Sequence, residues 1–182
     1  MTETPELSIY EKAFVKTDKT DAVLVVGGKK LHVNKALLSY HSDYFNTLFN
    51  SEFKEKSMEE IEIKDVEFED FATLLSLVHG TPLEIKYYNV GRLLKLADQF
   101  LLRASKLHIE RFIISSADFN RRQKLVLADK YNLENLLEHA IKLYNSRSTF
   151  HDFYNTNNTD ISDELRLKIF DKFFNNFAHS LA

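Results

Sequence analysis

The residues best suited to chemistry in this sequence are its histidines, and their spacing assembles no site. Seven are present, at His32, His41, His79, His108, His139, His151 and His179. No two have the spacing that lets a helix present a pair of imidazoles to one metal ion, and none stands beside carboxylates at ligand spacing. Cysteine is absent, which excludes disulfides, thiolate metal sites and thiol catalysis. We therefore expect no metal ion and no cofactor.

Two short motifs resemble phosphate-binding sequences but are incomplete. After Gly27-Gly28-Lys29, the second glycine and the Lys-Ser/Thr pair of a phosphate loop are missing. The run Arg121-Arg122-x-Lys124 is basic, but a net charge of −3 and a pI of about 6.2 give no electrostatic footprint for nucleic acid. We favour a place for it at the start of a helix. No Gly-x-Ser-x-Gly nucleophile elbow is present either, so the sequence predicts a protein that is not an enzyme and binds no nucleic acid.

Two aspartates recur with an internal repeat. The segment Leu94–Phe100, LKLADQF, returns 31 residues later as Leu125–Tyr131, LVLADKY, so Asp98 and Asp129 occupy matching positions. A second helical segment follows each copy, which predicts two helix–turn–helix units. Because a repeat array needs about three units to be stable alone, we expect these two to form a helical extension of a domain. The recurrence favours a role for both aspartates in the helix turns over general-base catalysis.

The elements that precede the repeat are organised around Lys30–Phe53, KLHVNKALLSYHSDYFNTLFNSEF. The β-branched run Ala22–Val26, the glycine pair and the return through Val33 predict a β-hairpin with a two-residue turn. After it, apolar residues recur at the i, i+3 and i+4 positions of two helices that each bury one face. Asn34 and Ser42 stand where a side chain can cap the first and the second of these helices.

The rest of the chain is predicted to be mostly helical. Ile61 and Ile63 alternate with charged residues as a half-buried strand that must join the sheet non-locally, inside an acidic run that we expect to be solvated. Helices are predicted at Phe68–His79, ended by Gly80 and Pro82, at Val90–Phe100 with Asn89 as its cap, at Ser105–Ile114, and at Asp163–Phe177 with Ser162 as its cap. The polar, Asn-rich segment Thr149–Thr159 is predicted to be a loop.

The first twenty residues are predicted to be a tail followed by a short helix. They alternate charged and apolar residues, without the unbroken apolar segment of a signal peptide or a membrane span. Leu7, Tyr10 and Phe14 lie at helical spacing within Leu7–Val15, which predicts an amphipathic helix. This helix either folds back on its own domain or docks on a partner subunit.

The residues from Asp21 to about Phe112 resemble the BTB/POZ domain. The resemblance is carried by an ordered set of segments: Asp21–Val26 (DAVLVV), Leu31–Leu38 (LHVNKALL), Ser42–Phe45 (SDYF) with Leu48 and Phe49, Ile61–Ile63 (IEI) and Leu94–Asp98 (LKLAD). It implies an α+β fold in which a small mixed sheet is flanked by helices. Residues 1–20 would then be a tail and dimerisation helix, and residues 21–114 the BTB/POZ domain. Residues 115–182 would be an all-helical extension that resembles the 3-box or BACK-like part of MATH–BTB adaptors.

The resemblance implies protein–protein interaction. BTB domains usually homodimerise through their N-terminal helices, which would place Leu7, Tyr10 and Phe14 in an interface with a second copy or another BTB protein. Many BTB adaptors bind cullin-3 through a hydrophobic-x-Glu motif after the second core helix. Phe53 and Glu55 stand in that position here, and an exposed aromatic anchor beside a carboxylate suits such a contact. The alternative is that Phe53 packs into its own core.

Asp21 and Lys35 match the charged pair in the groove of BTB transcription factors that recruit corepressors. We favour a structural role for the pair, because burying one charge without its partner is costly. Taken together, the resemblance implies a dimeric substrate adaptor for a cullin-3 RING ubiquitin ligase, acting in the cytoplasm or nucleus in the ubiquitin-dependent degradation of an unknown client.

Two other functions stay open. One is a scaffold that oligomerises with other BTB proteins, which is favoured because the segment before residue 21 has no room for a MATH domain. The other is a corepressor-binding module, which the sequence supports less because no DNA-binding region accompanies it.

Overall fold

The structure is a computed structural model, and it describes residues 6–50, 60–156 and 159–177. The chain divides into two compact units, Met1–Ile109 and Glu110–Ala182. The division falls inside the helix that also contains the predicted boundary at residue 114. The sheet belongs to the first unit, and the regular elements described in the second unit are all helices.

The sheet has three strands in the described part of the chain: β1 (Ala22–Val26), β2 (Lys29–Val33) and β3 (Glu60–Glu62). The central strand β1 pairs antiparallel with β2 and parallel with β3, so the order is β2-β1-β3 and the sheet is mixed. Register aligns Ile61 of β3 with Leu24 of β1, and both side chains are buried. The predicted hairpin and the predicted non-local strand are therefore confirmed.

The hairpin turn depends on its two glycines. Gly27 and Gly28 have φ angles of 54° and 80°, in the left-handed region that only a residue without a Cβ atom adopts without steric cost. Positive φ at both central positions is the geometry of a type I′ turn, whose twist matches the twist of the flanking strands. The glycine pair therefore builds a turn between two strands, as predicted.

The helices of the first unit begin at the predicted caps in two cases. The helices are α1 (Ile9–Ala13), α2 (Lys35–His41), α3 (Asp43–Asn50), α4 (Phe68–Ser76) and α5 (Val90–Gln99), and α6 (Arg103–Ser115) begins in this unit. The Asn34 side chain accepts a hydrogen bond from the Leu37 N–H at 2.8 Å. The Ser42 hydroxyl accepts one from the Phe45 N–H at 3.1 Å. Each bond satisfies a first-turn donor that has no partner inside its helix.

Helix α4 ends before the glycine that was predicted to end it. It stops at Ser76 instead of continuing to Gly80. The Ser76 hydroxyl donates to the Thr73 carbonyl at 2.6 Å and accepts from the Leu83 N–H at 2.8 Å. The buried Ser76 side chain thus stabilises the turn by its hydrogen bond with Leu83. The sequence around Ser76 does not predict this contact.

Asn89 has a different role from the predicted cap of α5. Its side chain accepts a hydrogen bond from the Lys86 N–H at 3.0 Å and so closes the single 3₁₀ turn Tyr87–Asn89. It makes no side-chain hydrogen bond to the first turn of α5. The prediction was wrong because the 3₁₀ turn precedes α5 directly and takes the side chain first.

The core of the first unit is built on aromatic rings. Phe100 lies between Phe45 and Phe71, with ring centroids 5.8 Å and 5.0 Å away. All three rings are buried, together with the aliphatic face of α5 at Leu93 and Leu94. Burial of large side chains of this kind stabilises each by about 1.5–3 kcal/mol relative to exposure.

The second unit contains the end of α6 followed by α7 (Arg121–Lys130), α8 (Glu134–Lys142), α9 (Arg147–Asn155) and α10 (Asp163–Phe177). Its core consists of buried residues from these helices and the segments that join them: Leu125, Ala140, Tyr144, Phe150, Phe153, Ile161, Leu165 and Ile169. Helix α10 has the predicted bounds, and Ser162 caps it by accepting from the Leu165 N–H at 3.2 Å. The predicted loop Thr149–Thr159 was wrong, because Ser146 and Thr149 form a capping box that begins α9.

The sequence repeat is also a structural repeat. Helices α5 and α7 end in the same hydrogen-bonded turn, with a left-handed residue at Leu101 (φ 51°) and at Asn132 (φ 50°). The following N–H groups, of Leu102 and Leu133, each donate back across the turn to an alanine carbonyl at 2.9 Å. This is the bonding of a Schellman helix end, and it confirms the two predicted helix–turn–helix units.

Candidate interaction surfaces

The N-terminal helix α1 begins with a capping box. The Glu11 N–H donates to the Ser8 hydroxyl at 3.3 Å, and the Ser8 N–H donates to the Glu11 carboxylate at 3.0 Å. The Ser8 hydroxyl donates to the same carboxylate at 2.6 Å, and this bond, together with the bond from the Ser8 N–H, lowers the pKa of Glu11. The helix is only five residues long, so it depends on this cap and on its contacts with α4 and β2.

One side of α1 and its flanks is apolar and exposed. The exposed fractions of Leu7, Ile9 and Val15 are 49%, 60% and 45%. Phe14 is only 2% exposed and packs edge-on against His79, with ring centroids 5.1 Å apart. Phe14 therefore belongs to the core of its own chain, which takes it out of the predicted row of dimer contacts. The exposed row is Leu7, Ile9 and Val15, and a dimer interface there stays a prediction.

Tyr10 is neither as exposed as Ile9 nor as buried as Phe14. Its side chain is half-buried, and burial raises its pKa, with the nearby Glu69 carboxylate adding to the effect. The hydroxyl is consequently protonated at neutral pH and is available as a hydrogen-bond donor. Tyr10 is the predicted contact residue that both touches its own domain and keeps a polar edge toward solvent.

Asp21 and Lys35 are joined through the backbone instead of through an ion pair between their side chains. The Asp21 carboxylate accepts a hydrogen bond from the Lys35 N–H at 2.7 Å. Asp21 is exposed, and the Lys35 ammonium lies over the Phe49 ring at 5.9 Å from its centroid. The carboxylate thus sits at the positive end of the α2 dipole, which is a structural contact of the kind we favoured, without the buried ion pair.

Helix α3 and the turn between α5 and α6 form a second surface with exposed apolar side chains. The Ser42 hydroxyl donates to the Phe100 carbonyl at 2.6 Å, which ties the start of α3 to that turn. Next to this bond, the Tyr44 ring packs edge-on against Phe100 at 4.9 Å and remains 37% exposed. Leu101, in the turn itself, is 51% exposed. We refer to Tyr44 and Leu101 as the α3 patch.

Leu101 was not singled out from the sequence, although a signal was present. The repeat aligns Leu101 with Asn132, and asparagine tolerates the left-handed backbone that a Schellman turn needs far better than leucine does. A leucine that is both exposed and in a left-handed conformation gains neither burial nor relaxed geometry. Residues of this kind concentrate at functional sites.

Phe53 and Glu55, the predicted cullin contacts, lie outside the described residues. What the structure gives is the helix that leads to them. Helix α3 ends at Asn50, so the motif follows the α3 patch directly along the chain. Their assignment stays a prediction.

The repeated aspartates serve the helix turns. Asp98 accepts a hydrogen bond from the Lys106 ammonium at 2.6 Å. Asp129 accepts from the N–H of Ser162 at 2.6 Å and from its hydroxyl at 2.7 Å, which fixes the start of α10. Both contacts agree with the structural role predicted from the repeat.

Glu110 is a buried carboxylate whose role the sequence did not indicate. It is 4% exposed, and it accepts hydrogen bonds from the Leu136 N–H at 2.7 Å and from the Asn135 amide at 3.0 Å. It therefore caps the start of α8 from a neighbouring helix, where Leu133 has no side chain able to do so.

No grouping of three or more histidine, aspartate or glutamate side chains suited to a metal ion occurs within residues 6–50, 60–156 and 159–177. Over the same residues, the helices are too short or too polar to cross a bilayer. The described surfaces are those of packed helices and a small sheet with exposed apolar rows, and such surfaces suit contacts with other proteins.

Comparison with known proteins agrees with this geometry. The sequence model of the BTB/POZ domain family matches residues 10–117, more than half of the chain. This chain belongs to the BTB/POZ family. The BTB domain is a non-catalytic module for protein–protein interaction, and in related families it mediates dimerisation and cullin binding. The α+β fold with a small mixed sheet, predicted from the sequence, is confirmed by this match and by the sheet itself.

Several curated relatives are from Caenorhabditis elegans. One BTB/POZ domain-containing protein is 34% identical over 160 residues, which are 87% of this chain and 51% of the relative. BTB and MATH domain-containing protein 36 is 38% identical over 121 residues, which are 66% of this chain and 38% of the relative. The chain thus spans about half, or less, of the length of these relatives. Among solved structures, the BTB domain of human gigaxonin is similar at 23% identity, with a TM-score of 0.44, over 52% of this chain and 77% of the other.

Proposed function

We propose that this protein is a dimeric, non-catalytic substrate adaptor for a cullin-3 RING ubiquitin ligase. It would hold a client close to the ligase, so that proximity raises the effective concentration of the client at the modifying enzyme. MATH–BTB relatives support the adaptor class, since they are 33–38% identical over 66–73% of this chain.

The observation that carries the proposal is the α3 patch. Tyr44 packs against Phe100, Leu101 follows Phe100 in the chain, and both Tyr44 and Leu101 are exposed where the bond between Ser42 and Phe100 ties α3 to the turn. In the sequence, Phe53 and Glu55 come after Asn50, the last residue of α3. Large apolar anchors on a rigid base, followed by an aromatic residue and a carboxylate, are the composition of an interface hot spot with a polar contact beside it.

Dimerisation is proposed through the apolar row of α1. Ile9 lies on α1, Leu7 and Val15 flank this helix, and α1 itself contacts α4 and β2. An isologous pairing would cover both rows at once and present two cullin sites in one particle. If this row binds a partner but the α3 patch does not, the protein would be a BTB scaffold that pairs with related chains. This scaffold is the competing function.

Light scattering after size exclusion tests both surfaces on the full chain, alone and mixed with the N-terminal region of cullin-3. We expect a dimer that takes two copies of cullin-3. The variants Phe53→Ala, Glu55→Ala and Leu101→Asn should each weaken cullin binding about tenfold or more and leave the dimer intact. Tyr40→Ala, which changes a tyrosine that is 84% exposed on α2, is the matched control.

Ile9→Glu should give a monomer, because a charge would have to be buried in the interface. A dimer that does not bind cullin-3 would support the scaffold function. If Ile9→Glu stays dimeric, the dimer surface lies elsewhere, and the role assigned to the α1 row is wrong.

A further inference from the structure

The second unit contains a polar cavity that the adaptor chemistry described so far does not use. Its volume is about 540 Å³, which lies in the range of sites that hold a small molecule or a few peptide side chains. The cavity opens where the start of α7, the end of α8 and the end of α9 meet. The residues that define its chemistry are Asn120, Arg121, Arg122, Tyr144, Asp152 and Phe153.

Tyr144 is the floor of this cavity. Only 2% of the residue is exposed, and its ring packs against Phe150 and Phe153 with centroids 6.2 Å and 5.6 Å away. Tyr144 lines the cavity, and its hydroxyl is not among the buried polar atoms that lack a partner within the described residues, so it is accessible to a ligand. Burial raises the pKa of Tyr144, so the hydroxyl keeps its proton. A tyrosine hydroxyl usually has a hydrogen-bond partner, and a charged acceptor bound in the cavity would give this donor a stronger bond than water does.

Arg121 lies over the Tyr144 ring at the edge of this cavity. Its guanidinium lies 5.8 Å from the centre of the Tyr144 ring and is bonded on one side to Asp152. A guanidinium carries five N–H donors in a planar fork, and one carboxylate does not use them all. Arg121, with its remaining donors, and Tyr144 therefore line the same cavity.

The charges around the cavity select the kind of acceptor. Arg122 is bonded to Asp160 at 2.5 Å, as Arg121 is bonded to Asp152. These two arginines and two aspartates sum to zero, so a doubly charged phosphate would have to displace one of the aspartates. A single carboxylate can instead share the fork of Arg121 with Asp152. The Phe153 ring and the neighbouring apolar wall suit the aliphatic stem that carries such a carboxylate.

We propose that this cavity binds the carboxylate side chain of a glutamate or aspartate in a peptide segment of another protein. The Tyr144 hydroxyl and the Arg121 guanidinium donate to the two oxygens. The assignment of that protein as a client rests on the proposed adaptor function, whereas recognition of an acidic peptide by the cavity does not. The two are therefore tested by separate readouts.

The test is selection of displayed random peptides on the immobilised full chain, followed by fluorescence anisotropy with a labelled synthetic copy of a selected peptide. We expect selected peptides to share an acidic position and to lose affinity when that residue is changed to its amide. Tyr144→Phe removes one hydroxyl and keeps the ring, so the fold is preserved. It should weaken binding about tenfold, the effect of one hydrogen bond to a charged group.

Arg121→Gln should weaken binding at least as much as Tyr144→Phe. The matched controls are Tyr40→Phe and Arg103→Gln, which change an exposed tyrosine and an exposed arginine of the first unit and should leave binding unchanged. Preference for a phosphorylated residue over an acidic one would overturn the proposal. Selected peptides that bind Tyr144→Phe as well as the parent chain, or no selected peptide at all, would also overturn it.

Cullin-3 binding by the same variants separates this inference from the proposed function. Tyr144→Phe should bind cullin-3 like the parent chain. If the parent chain binds acidic peptides but does not bind cullin-3, the ligase assignment is wrong and the assignment of the cavity as a peptide site stands. If the parent chain binds cullin-3 but Tyr144→Phe does not change peptide binding, the ligase assignment stands and the role given to the cavity is wrong.

Discussion

The Ser42 hydroxyl donates a 2.6 Å hydrogen bond to the carbonyl oxygen of Phe100, a residue 58 positions later in the chain. The same hydroxyl accepts the N–H of Phe45 and so caps α3. One buried side chain, 2% exposed, thus begins a helix and attaches that helix to the turn that carries Leu101. The position of the α3 patch depends on this bond.

Ser42→Ala should lower the free energy of unfolding by about 2 kcal/mol, because it removes a helix cap and leaves a buried N–H and a buried C=O without partners. Urea unfolding followed by circular dichroism measures the change. Ser115→Ala is the matched control, since its hydroxyl bonds only within its own helix at an exposed position, and a change within about 0.5 kcal/mol is expected. Equal losses in the two variants would contradict the role given to Ser42.

Leu101→Asn should stabilise the protein by about 0.5 kcal/mol, because asparagine accepts a φ of 51° with less strain. The reciprocal change, Asn132→Leu, should destabilise it by a similar amount at the matching position of the repeat. Thermal unfolding compares the two variants. A variant that is more stable yet binds cullin-3 more weakly would show that Leu101 is retained for contact. A loss of stability in Leu101→Asn would mean that the leucine packs more than its 51% exposure indicates.

His79 makes stability depend on pH. Burial lowers the pKa of His79 from its ordinary value of 6.5, and its Nε2 atom is buried with no hydrogen-bond partner among the described residues. The unfolded chain therefore binds a proton at a higher pH than the folded chain does. The contribution of His79 is fully present above about pH 6.5 and is lost as the pH falls through that value toward the lowered pKa.

His79→Leu should reduce the loss of unfolding free energy between about pH 7.5 and pH 5. Its packing against Phe14 links the titration to the N-terminal segment. Urea titrations at both pH values provide the measurement, and His108→Leu, which alters an exposed histidine, is the control. If His79→Leu loses as much unfolding free energy at low pH as the parent chain does, other groups cause that loss.

Lys124 is a buried cation bonded to a carbonyl. It is 6% exposed, its ammonium donates to the Ile114 carbonyl at 2.8 Å, and burial lowers its pKa. The folded state therefore releases this proton more readily than the unfolded state, so stability rises with pH from the lowered pKa up to about 10.5.

Lys124→Met should remove that rise and stabilise the protein at pH 7 by about 1 kcal/mol, because it replaces a poorly compensated buried charge with an apolar side chain of similar length. Unfolding in urea at pH 7 and at about pH 9 measures both effects. Lys95→Met, at an exposed site on α5, should change neither quantity. A large loss of stability in Lys124→Met would show that the bond to Ile114 outweighs desolvation.

Most of the confirmed predictions depend on interactions between residues close together in the sequence. The turn at Gly27-Gly28, the caps at Asn34, Ser42 and Ser162, and the repeated helix ends each involve backbone groups within a few residues of the side chain that serves them. Residue type alone carries such information, since φ preference and hydrogen-bonding capacity are local properties. The spacing of apolar residues predicted which segments are helices and which are strands.

Tertiary structure decided what each exposed or charged side chain contacts. Phe14 became a core residue because His79, far along the chain, lies against it, and Glu110 became a cap because α8 begins beside it. The Tyr144 cavity exists only because three helix ends meet there. The sequence by itself determined the elements and the family resemblance. Only packing decided which surfaces remain open for partners, because burial depends on contacts between distant segments that no local pattern records.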